Sequence, residues 1–154
     1  MHTCRLLVPL SIALSLAACA SVPTRQAEER SEISFDLSVS PTRARDQLAD
    51  AFAANGLPVA ISQPGVVEYH GARERGALGQ YEVFARAVIT PADCGTHVTL
   101  FGEETRYDNA TTLEGRAKRI GPTSSGRALD VWRKLQSIAS AVRRDSVTAS
   151  RVRT

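Results

Sequence analysis

No stretch of this chain holds the ~20 consecutive apolar residues that a membrane-spanning helix requires. Cysteine is scarce, with Cys4, Cys19 and Cys94 the only three. The sequence has no pair of ligand pairs of the kind structural zinc sites use. Glycine-rich nucleotide loops and a nucleophile-elbow pattern are also missing, and the glycines fall at turns and caps. Charge of one sign does not dominate: 19 basic residues face 16 acidic ones, a formal net charge of +3. That balance argues against a dedicated nucleic-acid domain, which is normally clearly basic.

What is present begins at the N-terminus. Arg5 is the only charge before an apolar run from Leu6 to Ala18. The run is too short to span, has the length of a signal-peptide core, and carries Pro9, which disfavours a lasting helix. No polar face interrupts it, so it does not read as an amphipathic helix of a mature fold. It closes on Leu16-Ala17-Ala18-Cys19.

Those four residues resemble the lipobox of bacterial lipoprotein precursors. The resemblance covers only the first twenty or so residues. It implies that Cys19 accepts a diacylglyceryl group on its sulfur, a good nucleophile, and that cleavage falls between Ala18 and Cys19. The new amine would then be acylated, and several chains at ~0.8 kcal/mol per buried CH2 would form a durable anchor. In the Gram-negative sorting pattern an aspartate after the cysteine retains a lipoprotein at the inner membrane. Ala20 stands there, which implies the outer membrane, facing the periplasm. Ordinary cleavage nearby, after Cys19 or Ala20, is the alternative and would release a soluble periplasmic protein. With Cys4 in the signal and Cys19 lipidated, Cys94 has no disulfide partner even in an oxidising compartment.

Beyond a signal at 1–18, residues 19–31 are polar and aperiodic and read as a tether. Residues 32–143 read as one domain, followed by a polar tail at 144–154. Ile33, Phe35, Leu37 and Val39 alternate with polar residues, the pattern of a half-buried strand. Ser40-Pro41 opens a helix whose stripe is Ala44, Leu48, Ala51 and Phe52, and Asn55-Gly56 closes it. Strands are expected over 59–72, either bent or split at Pro64-Gly65, over 80–90, and over 96–106. Residues 72–79 read as a charged hairpin loop. Residues 107–123 read either as a fifth strand near 111–118 or as a functional loop. A final helix carries Trp132, Leu135, Ile138 and Val142 at three- and four-residue spacing. The expected fold is α+β, in the order β-α-β-β-β-α. It is a two-layer sandwich with an antiparallel sheet of four or five strands and two helices on one face. That order is similar to the helix-grip domains of some envelope assembly lipoproteins, a likeness of arrangement alone.

Three groups of residues are candidates for chemistry. Cys94 and His97, three apart, have the elements of a nucleophile and its base, but no orienting third group stands near them. Glu68 and His70, two apart on a strand, share a face and with His97 and Cys94 would offer metal ligands. Arg116, Lys118, Arg119 and Arg127 would present a basic surface to anionic lipid or cell-wall polymer. Against each stands an ordinary reading: a turn cysteine, a polar strand edge, and solvated charges mixed with Glu114 and Asp130. The Asn109 sequon has no weight in a bacterial protein.

The sequence therefore reads as a non-enzymatic envelope lipoprotein, a binding or assembly module without cofactor, metal or nucleic acid. Its partners would be the membrane, through its acyl chains, and an envelope protein or wall polymer. The alternative is a small periplasmic ligand-binding protein or hydrolase with a pocket between helix and sheet.

Overall fold

In a computed structural model, residues 31–76, 79–107 and 115–151 are described. The signal, the tether up to residue 30, Ala18, Cys19 and Asn109 lie outside the described residues. The expected alternation produces β1 (Glu32–Leu37), with Phe35 and Leu37 buried. Helix α1 (Pro41–Ala54) starts where Ser40 Oγ accepts from the backbone N–H of Arg43. Ala44, Leu48 and Phe52 are its buried stripe. The next segment splits into β2 (Val59–Gln63) and β3 (Val66–His70). Gly65 has a positive φ of 85° in the tight turn between them, a conformation open to glycine without strain. The long strands β5 (Gly79–Ala92) and β6 (Gly95–Tyr107) form the central hairpin, turning at Asp93-Cys94.

The chain is α+β, with an antiparallel sheet and, among the described residues, two helices and seven strands rather than four or five strands. The charged segment expected as a loop contains β4 (Glu74–Gly76), which pairs with the start of β5. Arg116–Arg119 forms β7, which pairs with the end of β6. Both extra strands are short, three and four residues, too brief for an alternating pattern to declare itself. They add length more than width: the main path is β1-β6-β5-β3-β2, with β4 and β7 beside the far ends of β5 and β6. Helix α2 (Gly126–Arg151) passes the expected end and makes the start of the supposed tail helical. Extending an existing helix adds one hydrogen bond per residue fixed, so the ladder can outrun its apolar stripe.

Both helices bury their stripes against one sheet face. Leu48 and Phe52 of α1 join Trp132, Leu135, Ile138 and Val142 of α2 over Val67, Tyr69, Val83, Ala87, Val98 and Leu100. The sheet's opposite face carries no helix among the described residues. Its side chains are the alternate ones: Glu68 and His70 on β3, Phe84 and Arg86 on β5, and His97, Thr99, Phe101 and Glu103 on β6.

Candidate functional site

The register lines these outward residues into two adjacent rows. Glu68 stands opposite Arg86, and Arg86 opposite Phe101. In the next row His70 stands opposite Phe84, Phe84 opposite Glu103, and Glu103 opposite Arg119. Glu68, His70, Phe84, Arg86, Phe101 and Glu103 line a cavity of about 170 Å³ on the open face.

Two residues in this cavity are buried although they point away from the core. Glu68 is 8% exposed and Phe101 9%. Arg86 Nε donates to Glu68 Oε1 at 2.6 Å, and His70 Nε2 bonds Glu68 Oε2 at 2.9 Å. Burial pushes the Glu68 carboxyl up, but the His70 hydrogen bond and the Arg86 charge outweigh it and hold the acid below its ordinary value. Glu68 is thus an ionised anchor with both oxygens occupied. Its position fixes Arg86 and His70, and the His70 ring meets Phe84 edge-on at 5.0 Å. Phe101 is covered by arginine: the Arg119 guanidinium lies 3.6 Å from its ring centre and that of Arg86 lies 5.8 Å away. Arg73 covers Tyr107 in the same way at 3.8 Å.

Strand β7 is held in place from the opposite face. Ile120, 1% exposed, donates its N–H to Gly102 O at 3.0 Å. A Cβ at Gly102 would lie 2.4 Å from Ile120 Cδ1, so the absence of a side chain there admits Ile120 to the core. With Ile120 turned inward, its neighbour Arg119 is turned outward over Phe101. Arg119 is also paired with Glu103 at 3.3 Å and keeps 45% of its side chain exposed; Arg86 keeps 47%.

The four residues proposed as nucleophile, base or ligands do not converge. Glu68 and His70 meet, as their spacing on one strand face required. His97 stands opposite Thr90, four residues along β5 from Arg86, which puts it about 13 Å from the Glu68 row. Its Nδ1 bonds Asp36 Oδ1 at 2.7 Å across β1 and β6, an orienting partner distant in sequence. Cys94 is exposed in the β5–β6 turn, and the partners of His97 are Asp36 and Thr99 instead. Among the described residues no group of three or more histidine, cysteine or acidic side chains is placed to hold a metal.

The basic quartet is divided as well. Lys118 stands opposite Glu104 and Arg116 opposite Arg106, both on the alternate side of β7 from Arg119. Arg127 lies at the start of α2, where it pairs with Glu74 and donates to Tyr69 Oη at 2.9 Å. Sequence reasoning missed Arg86, Phe84 and Phe101. The signal was present: Phe84, Val88 and Phe101 are apolar residues in the polar phase of their strands.

The arrangement offers exposed guanidinium donors above an aromatic floor, with a carboxylate already committed to holding one of them. That is binding chemistry for a planar anionic or polar group. Compared with family models and with curated protein sequences, the chain matches none.

Proposed function

We propose that this protein is a lipid-anchored envelope module that binds its partner through the open face of its sheet, without catalysing a reaction. The observation that supports this reading is the cavity beside Phe101, lined by Arg86, with Arg119 over the same ring and each half-exposed arginine paired with an acidic neighbour. Core packing does not explain such a construction on a face that no helix covers among the described residues; polar groups fixed in place over apolar rings are what a recognition surface uses. The anchor rests on the Leu16-Ala17-Ala18-Cys19 pattern, and the outer membrane on Ala20.

The second reading, a small-ligand protein or hydrolase, is favoured by a different cavity of about 270 Å³. It lies between the start of α2 and the sheet, and Tyr81, Glu104, Arg106 and Arg127 border it. Here Tyr81 donates to Glu74 at 2.7 Å and Arg127 is already paired, so its polar groups largely satisfy one another.

In-cell photo-crosslinking separates the two. A crosslinking side chain at Val88, on the open face, is expected to capture an envelope partner; one at Asp50, exposed on α1, is not. Cys19→Ser is expected to abolish acylation and move the chain out of the membrane fraction. No adduct from Val88 would sink the open-face reading, and an unchanged membrane fraction for Cys19→Ser would sink the anchor.

A further inference from the structure

We infer that the β7 end of the sheet is a membrane-docking surface, where Arg106, Arg116 and Lys118 meet the phosphates of anionic phospholipid headgroups. This rests on the anchor of the proposed function and leaves the open face to its partner.

The register assembles the charge. Arg116 stands opposite Arg106, and Lys118 opposite Glu104. Arg116 and Lys118 share the strand phase of Ile120, which is turned to the helix side. Like charges set directly opposite across two strands repel. Glu104 bonds Arg106, whereas Arg116 and Lys118 make no ion pair with any described residue. Three cations on exposed residues thus meet one carboxylate. On the open face the arginines are instead matched one to one, Arg86 with Glu68 and Arg119 with Glu103. An anion between Arg106 and Arg116 would relieve a repulsion that the fold leaves in place.

Arg106 and Lys118 border a cavity at the start of α2, together with Thr123, Ser124 and Ser125. The loop that carries these hydroxyls is pinned. Gly121 N–H donates to Ser124 Oγ at 2.9 Å, and Ser124 N–H to Gly121 O at 3.0 Å. Lysine, arginine and hydroxyl donors converging on one place suit the oxygens of a phosphate.

The start of the domain identifies the partner. Ser31 packs against Gly121: a Cβ on that glycine would lie 3.7 Å from Ser31 Cα. The described chain therefore begins beside the loop that borders the cations. Residues 19–30, fully extended, reach at most about 40 Å. A lipidated Cys19 keeps a headgroup surface within that distance of Ser31, and each lysine or arginine near an anionic surface contributes about 1 kcal/mol. Cys94 lies at the other end of the central hairpin, about 40 Å from Arg106 along β6.

The test reconstitutes the lipidated protein, purified from membranes, into vesicles of phosphatidylcholine alone or with about a quarter phosphatidylglycerol. The vesicles carry a phospholipid with a spin-labelled headgroup, which quenches a nearby fluorophore. The fluorophore is attached at Cys94, or at position 123 through Thr123→Cys in a Cys94→Ser background. Quenching is expected at 123 and not at Cys94, and only with phosphatidylglycerol present. It should fade as salt is raised while the chain stays on the vesicle. Lys118→Gln and Arg116→Gln are each expected to lower the ratio of docked to undocked protein about fivefold, the equivalent of ~1 kcal/mol. Arg133→Gln, exposed on α2, is expected to leave that ratio unaltered. Arg116→Gln is also expected not to lower the unfolding midpoint, since it removes a like charge opposite Arg106. Equal quenching at the two positions, equal quenching without anionic lipid, or equal losses in Lys118→Gln and Arg133→Gln would each overturn the inference. If the chain floats with the vesicles but position 123 is not quenched, only this inference falls. A chain that does not float removes the anchor and this inference with it, while the Val88 crosslink tests the open face separately.

Discussion

Leu100 and Phe101 are neighbours in β6 and face opposite ways. Leu100 is fully buried among helix and sheet side chains. Phe101 is nearly as buried, but its cover is two half-exposed arginine side chains. The inner face excludes water through close packing that is expensive to disturb. The outer face excludes it through two half-exposed arginines whose guanidinium groups lie toward the ring and pair with Glu68 and Glu103. Low exposure thus describes a packed core on one side and a half-exposed, ion-paired cover on the other. A binding surface can be built from the second kind, because a ligand that meets half-exposed arginines need not unpack the protein.

The largest effect should come from the inner face. Leu100→Ala should destabilise the fold by about 2–5 kcal/mol in denaturant unfolding, the range for truncating a buried leucine. Phe101→Ala removes a larger side chain and should nonetheless cost less, because the arginines above can collapse into the space. Equal or greater loss at Phe101 would mean that the outer face is packed as a core.

An intermediate effect tests the anchor under that cover. Arg86→Leu leaves Glu68 buried with only His70 as partner, and should cost about 1–3 kcal/mol. Adding Glu68→Leu to it should recover part of the loss, since removing both partners leaves no charge unmatched. Additive losses in that double-mutant cycle would show that the two side chains do not act together.

The smallest effect is a pH dependence. The Glu68 carboxyl is held below its ordinary value of 4.5 in the folded chain, so the unfolded chain takes up that proton first as pH falls. Its contribution to stability is present above the ordinary value and is lost as pH drops through the lowered one. Unfolding midpoints from pH 7 to pH 3 should fall more steeply for the native chain than for Glu68→Gln. Parallel curves would show that the bonds from His70 and Arg86 do not outweigh the burial.

Several parts of this molecule were legible locally. Alternation marked Phe35 and Leu37 as inward, and Ser40-Pro41 and Asn55-Gly56 bounded α1 at nearly its observed limits. The meeting of Glu68 with His70 followed from two-residue spacing on a strand. The short strands β4 and β7 did not announce themselves, because three or four residues hold no period. The basic quartet failed as one surface for a related reason: alternation along β7 sends Arg119 one way and Lys118 the other.

By itself, then, the sequence determined the local elements, their inward faces and the Glu68–His70 pair, because hydrophobic period and capping chemistry act over a few residues. Only the tertiary structure decided that β1 lies beside β6, that Arg86 meets Glu68, and that Arg119 lies over Phe101. These contacts depend on the register between strands far apart in the chain, and a shift of one residue would turn every one of those side chains to the other face.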